Sequence, residues 1–151
     1  MNSQIIGSSG ANAGVGFVVP INTAARIIPE LIEYGAYEYA YLGISGASVT
    51  TVLAEVNGLS EYTKGVLMTS VTGRGPAASA GITGASQART QNRYQIITSI
   101  DGILVEGVNE LISELAESFR PGETVTIGIL TEQGPRSVEV ILGSRPNATL
   151  D

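Results

Sequence analysis

Tyr41-Leu42-Gly43-Ile44 sets a glycine between apolar residues directly before an extended stretch. Such a turn can aim the backbone N–H groups of Leu42, Gly43 and Ile44 into one concavity, an arrangement that captures a carboxylate. A Cβ at position 43 is expected to narrow the space for that carboxylate and the side chain beside it. An extended peptide would then add antiparallel along Ser45, Gly46, Ala47 and Ser48 through main-chain hydrogen bonds. Helical spacing divides a later segment into Leu111, Leu115 and Phe119 facing the core and Val108 and Ile112 flanking the groove. The plainer alternative makes Leu42 and Ile44 ordinary core residues and Gly43 an ordinary turn. No Lys or Arg occurs from Ile27 through Thr63. Binding would therefore rest on backbone dipoles and an apolar pocket, with Lys64 or a loop arginine helping only if the fold brings it near. Micromolar affinity, about −8 kcal/mol, is expected.

Three other clusters have simpler explanations. Gly10, Gly14 and Gly16 precede a strand instead of opening a helix, so they cannot cradle a phosphate and suit a hinge. Tyr34, Tyr37, Tyr39 and Tyr41 lack the neighbouring cations that a base-stacking platform needs, which favours packing. Glu110, Glu114 and Glu117 have no second set of oxygen ligands and read as a solvated helix face.

Composition removes most catalytic chemistry. The chain has 151 residues and neither histidine nor cysteine. It therefore cannot by itself build a Ser-His-Asp triad, a usual zinc site, a thiolate nucleophile or a disulfide. The 8 Lys+Arg against 14 Asp+Glu, a net charge of −6, argue against nucleic acid or anionic lipid as partner. No cofactor and no metal are expected. The length suits one ordinary domain plus a flank. The N-terminus lacks the basic and apolar regions of a secretion signal.

The elements that must position the turn follow from periodicity. Gly7 to Gly16 has a flexible composition, and Phe17 to Pro20 reads as a lone strand that either joins the following domain or once belonged to a missing sheet. Ile27, Ile28, Leu31 and Ile32 predict a helix over about 23–34 that starts near Ile28 or is kinked at Pro29. An extended stretch from Tyr41 to Val52 leads into a connection, Leu53 to Thr63. A strand is expected over 65–71, and a short helix at Pro76 is stopped by Gly81. Gly84 to Gln95 reads as an exposed polar loop. Then come a strand over 96–100, an Asp101-Gly102 turn, a helix over 108–118, and a hairpin turning at Gln133-Gly134-Pro135. Strands interrupted by two short helices predict an α+β fold around a partly open sheet.

These residues also carry a family resemblance. Asn12-Ala-Gly-Val-Gly-Phe-Val-Val-Pro-Ile-Asn22 resembles the end of the protease domain in the HtrA/Deg family of trypsin-like serine proteases, and Ile28-Pro-Glu-Leu-Ile-Glu-Tyr-Gly35 the helix leading into a PDZ domain. Tyr41-Leu-Gly-Ile44 is similar to that domain's carboxylate-binding loop. Gly75 to Gly81, Ile96 to Gly102 and Arg120 to Thr126 match further family stretches in order, so the resemblance covers about residues 12–143. It implies a protease-domain remnant over 1–22, a linker helix over 23–38, a PDZ domain over 39–143 and a tail over 144–151. The implied fold is a PDZ-like partly open barrel or sandwich of five to six strands with two helices. The implied function is capture of C-termini or extended apolar segments of misfolded proteins and regulation of the parent's protease domain. The parent would be an oligomeric quality-control endopeptidase, exported or membrane-anchored in a bacterium. The alternative is an assembly role in which the groove holds another segment or subunit of the parent, with self-association through the N-terminal segment. The family's Gly-Asp before the Ile96-Ile97 strand is replaced by Tyr94-Gln95.

Overall fold

The computed structural model describes residues 2–5, 16–18, 21–35, 37–84 and 94–146. The chain divides into two units, Met1–Tyr37 and Glu38–Asp151.

In the first unit, β1 (Asn2–Ile5) pairs antiparallel with β2 (Gly16–Val18). The strand expected to stand alone therefore has a partner from its own flank, because even four residues of polar composition satisfy the backbone groups of a short strand. Helix α1 (Ile21–Tyr34) contains Pro29, so it begins well before Ile28. The proline cannot donate a hydrogen bond to the Ala25 carbonyl, and both residues are exposed. The helix closes with Gly35 N–H donating to Leu31 O at 3.1 Å.

The second unit is α+β. Its antiparallel sheet runs in the order β4 (Ile44–Ser48), β5 (Val66–Val71), β6 (Gln95–Ile100), β8 (Thr124–Thr131), β9 (Gly134–Ile141), with β7 (Ile103–Leu104) paired to β6. A small ribbon joins β3 (Ala40–Tyr41) to β10 (Gly143–Ser144). Alternation drives the core: Val125, Ile127 and Ile129 of β8 are buried while Thr124 and Thr126 face water. Met68, Ile97, Ile100 and Val140 join them, and α4 (Val108–Ser118) adds Leu111 and Leu115, followed by Phe119. The β6–β7 turn uses Asp101 and Gly102, both at positive φ (47° and 80°), as the twist of a tight hairpin requires. Asp101 Oδ1 then accepts from Thr126 N–H at 2.6 Å, fastening the hairpin to β8.

Three local expectations change. The extended stretch ends at Ser48, and α2 (Thr51–Val56) occupies what read as strand end and connection. Thr50 Oγ1 accepts from Leu53 N–H at 3.3 Å, capping the new helix. Among the described residues this unit thus has three helices, the third being α3 (Pro76–Ser79). The terminal hairpin turns at Glu132-Gln133, and Pro135 lies inside β9 opposite Leu130. A proline is tolerated there because β9 is an edge strand and its missing N–H costs no ladder bond on the open side. Gln95 belongs to β6 and is buried, with Nε2 donating to Thr83 Oγ1 at 2.9 Å. Of the polar loop expected over 84–95, residues 85–93 lie outside those described.

Candidate functional site

The chain leaves β3 at Tyr41 and enters β4 at Ile44, so Leu42 and Gly43 make the turn between two strands. Leu42 is 2% exposed and anchors the turn in the core. Two hydrogen bonds clamp it from behind: Ala77 N–H donates to Leu42 O at 2.9 Å and Thr72 N–H to Gly43 O at 2.8 Å. The carbonyls are thereby satisfied, whereas the N–H groups of Leu42 and Gly43 have no acceptor among the described residues. Gly43 has φ +77°, and a Cβ there would meet Pro76 Cδ at 3.3 Å. Conformation and the close packing of α3 therefore demand glycine at this position.

Strand β4 is the first strand of the sheet, with β5 on one side and, among the described residues, no strand on the other. Thr72 N–H bonds to Gly43 O, Val49 N–H bonds to Gly65 O at 2.9 Å, and the register shifts between Ser45 and Gly46. Antiparallel alternation then turns the backbone groups of Ile44, Gly46 and Ser48 toward the open edge. The four residues Ser45 to Ser48 are all exposed.

Facing that edge is α4. Ser48 Oγ accepts from Val108 N–H at 3.0 Å, satisfying one of the orphan donors of the helix N-terminus from a neighbouring strand. This bond sets the distance between strand and helix at one end. Gly107 permits the approach, since a Cβ there would lie 2.7 Å from Ser48 Oγ.

Turn, edge and helix enclose one cavity of about 460 Å³, within the range of ligand sites. The turn and the start of β4 line it together with Val108 and Ile112 of α4. Leu111 and Leu115, assigned from the sequence to the core alone, also line it, as do Val66 and Ala116. Ile112 is 56% exposed, as a residue at the rim of a groove should be. Ala47 and Ser48 do not line the cavity and lie further along the edge.

Among the described residues the cavity's lining contains no acidic residue and one cation, Arg145. Sequence reasoning missed it. Lys64, named as a helper, pairs instead with Glu106 at 2.6 Å on the surface and is not among the lining residues. Arg89 and Arg93 lie outside the described residues. Ser118 Oγ donates to Glu114 Oε2 at 2.9 Å, and no group of side chains able to hold a metal ion occurs among the described residues. No described helix is long and apolar enough to cross a membrane.

No protein-family model matches the chain. Curated relatives do. A probable periplasmic serine endoprotease, DegP-like, of Bartonella henselae is 34% identical over 97% of this chain and 27% of its own length. The periplasmic pH-dependent serine endoprotease DegQ of Escherichia coli is 28% identical over 99% of this chain and 30% of its own length. The chain thus spans less than a third of the relatives it matches. Among solved structures, the HtrA-type protease AlgW with a decapeptide aligns with TM-score 0.76 and 28% identity, covering 97% of this chain and 42% of that one. The HtrA3 PDZ domain bound to a phage-derived ligand, at 15% identity and TM-score 0.55, covers 72% of this chain and 89% of that one and shows the fold alone. The chain is thus similar over nearly its whole length to a segment of the DegP/DegQ HtrA proteases, and its α+β unit has a PDZ-like fold.

Proposed function

We propose that this chain is a peptide receptor that takes the C-terminus, or an extended apolar segment, of a protein substrate. The observation that carries this reading is the clamped Leu42–Gly43 turn, whose N–H groups have no acceptor among the described residues and adjoin the same apolar cavity as the open edge of β4 and the α4 residues Val108 and Ile112. In this account the peptide's terminal carboxylate accepts from the N–H groups of Leu42, Gly43 and Ile44. Its backbone pairs with β4, and its last side chain fills the space among Leu42, Val66, Leu111 and Leu115. The parent is an exported serine endopeptidase whose activity is regulated by occupancy of this groove. The chain itself has no histidine and does not carry the chemistry.

NMR titration of the 151-residue chain with a peptide ending in apolar residues tests the assignment. The largest amide shifts are expected at Leu42–Ile44, Ser45–Ser48, Val108 and Ile112. Ile112→Asp, which places a charge at the rim, should weaken binding at least tenfold while the fold persists. Unchanged affinity of that variant, or shifts concentrated elsewhere, would refute the groove assignment.

A further inference from the structure

We propose that Asn57 is a conditional modification site: its carboxamide is held unreactive while α2 is closed, and it deamidates through Gly58 when α2 opens, converting irreversibly. Asn57-Gly58 is the only Asn-Gly pair in the sequence. That pairing suits the chemistry because a glycine has no side chain to keep its backbone nitrogen away from the preceding carboxamide. In an open chain the Gly58 nitrogen, having lost its proton to solvent, attacks Asn57 Cγ. The bond from Cγ to the side-chain nitrogen breaks, ammonia leaves, and a cyclic succinimide remains. Water then opens the ring at either carbonyl and yields aspartate or isoaspartate, so a neutral carboxamide becomes a carboxylate.

The folded structure blocks each requirement of that attack. Gly58 N–H donates to Glu55 O at 3.0 Å and Leu59 N–H to Ala54 O at 2.8 Å, the pair of bonds that closes a helix on a glycine in the left-handed conformation, here at φ +69°. The carboxamide is tied back as well, since Asn57 Nδ2 donates to Leu53 O at 2.7 Å. Asn57 has ψ 3°, which turns the Gly58 nitrogen away from Cγ. Ring closure needs a rotation about the Asn57 Cα–C bond, and that rotation pulls Gly58 and Leu59 off their acceptors. The site is therefore reactive only when the end of α2 unwinds. Opening is easy to reach, because the helix has six residues, buries Ala54 alone and leaves Val52 and Val56 exposed.

The product cannot restore the closed state. A carboxylate has no N–H to give to Leu53 O, and it sets a negative charge at the helix end whose dipole disfavours anions. Isoaspartate also inserts an extra carbon into the backbone. Each conversion adds one negative charge to the net −6 and leaves α2 open, so the residue records that this segment has opened.

The test incubates the 151-residue chain in mildly alkaline buffer in three forms: native, unfolded in guanidinium chloride, and as Thr50→Ala, which removes the hydroxyl that accepts from Leu53 N–H at the start of α2. Conversion at Asn57 is followed by peptide mapping with mass spectrometry, and protection of the Leu59 amide by hydrogen exchange. The folded native chain should convert at least about tenfold more slowly than the unfolded one, and Thr50→Ala about two- to fivefold faster than native, with Leu59 exchange accelerated in step. A folded chain that converts as fast as the unfolded one would overturn the inference, because the bonds around Asn57 would then protect nothing. Conversion of Thr50→Ala at the native rate while Leu59 exchanges faster would overturn it too, since the chemistry would not run through the opening. Should that variant not fold, the native chain in guanidinium chloride below its unfolding transition supplies the same comparison of the two rates. Converted chain separated by anion exchange should have lost the Leu59 protection; protection equal to that of the unconverted chain would contradict the irreversible opening.

Discussion

Gly43 meets two demands at once, a left-handed backbone at φ +77° and a site where a Cβ would lie 3.3 Å from Pro76 Cδ. An L-residue in that conformation costs about 1–2 kcal/mol. Gly43→Ala should therefore lower the unfolding free energy by at least about 1 kcal/mol, read from the urea midpoint, and an unchanged midpoint would show that the turn is not held as described. The turn was legible in the sequence because its parts are contiguous: Tyr41, Leu42, Gly43 and Ile44 follow one another. The reason for the glycine was not, since it depends on Pro76, which α3 brings back from a distant point in the chain. Arg145 was illegible on the same ground. It follows a two-residue strand without hydrophobic period, and only the pairing of β10 with β3 carries it to the cavity. A short strand fixed by its partner leaves little local signal.

At the scale of elements, the groove depends on the spacing of β4 and α4, and Ser48 sets that spacing through its hydroxyl bond to Val108 N–H. Ser48→Ala leaves a helix N-terminal donor to water at an exposed site, a loss of about 0.5–1 kcal/mol. Hydrogen exchange should accelerate at Val108 and the following turn of α4. Exchange rates identical to those of the native chain would refute the role given to this bond. Helix α4 and hairpin β8–β9 were readable because their periods are strong: Leu111 and Leu115 repeat at helical spacing, and Val125, Ile127 and Ile129 alternate. Helix α2 was hidden by its surface position. Val52 and Val56 are 68% and 78% exposed, and Ala54 alone is buried, so six residues offered no amphipathic face and only Thr50 as a cap. The partner of β2 was missed for the converse reason, since Asn2–Ile5 has little strand-like composition and pairs only because a neighbour presents an edge.

At the scale of the whole molecule, an α+β unit without histidine or cysteine presents an open sheet edge beside an apolar cavity whose described lining includes one cation, Arg145. The chain has no histidine and no cysteine and spans under a third of its endoprotease relatives. In the proposed reading, main-chain pairing along β4 would supply affinity, the cavity a side-chain preference and the turn polarity of direction. Isothermal titration calorimetry of the 151-residue chain with a peptide bearing a free, apolar C-terminus measures that claim most directly. One-to-one binding with a micromolar Kd is predicted; no saturable heat up to millimolar peptide would contradict it.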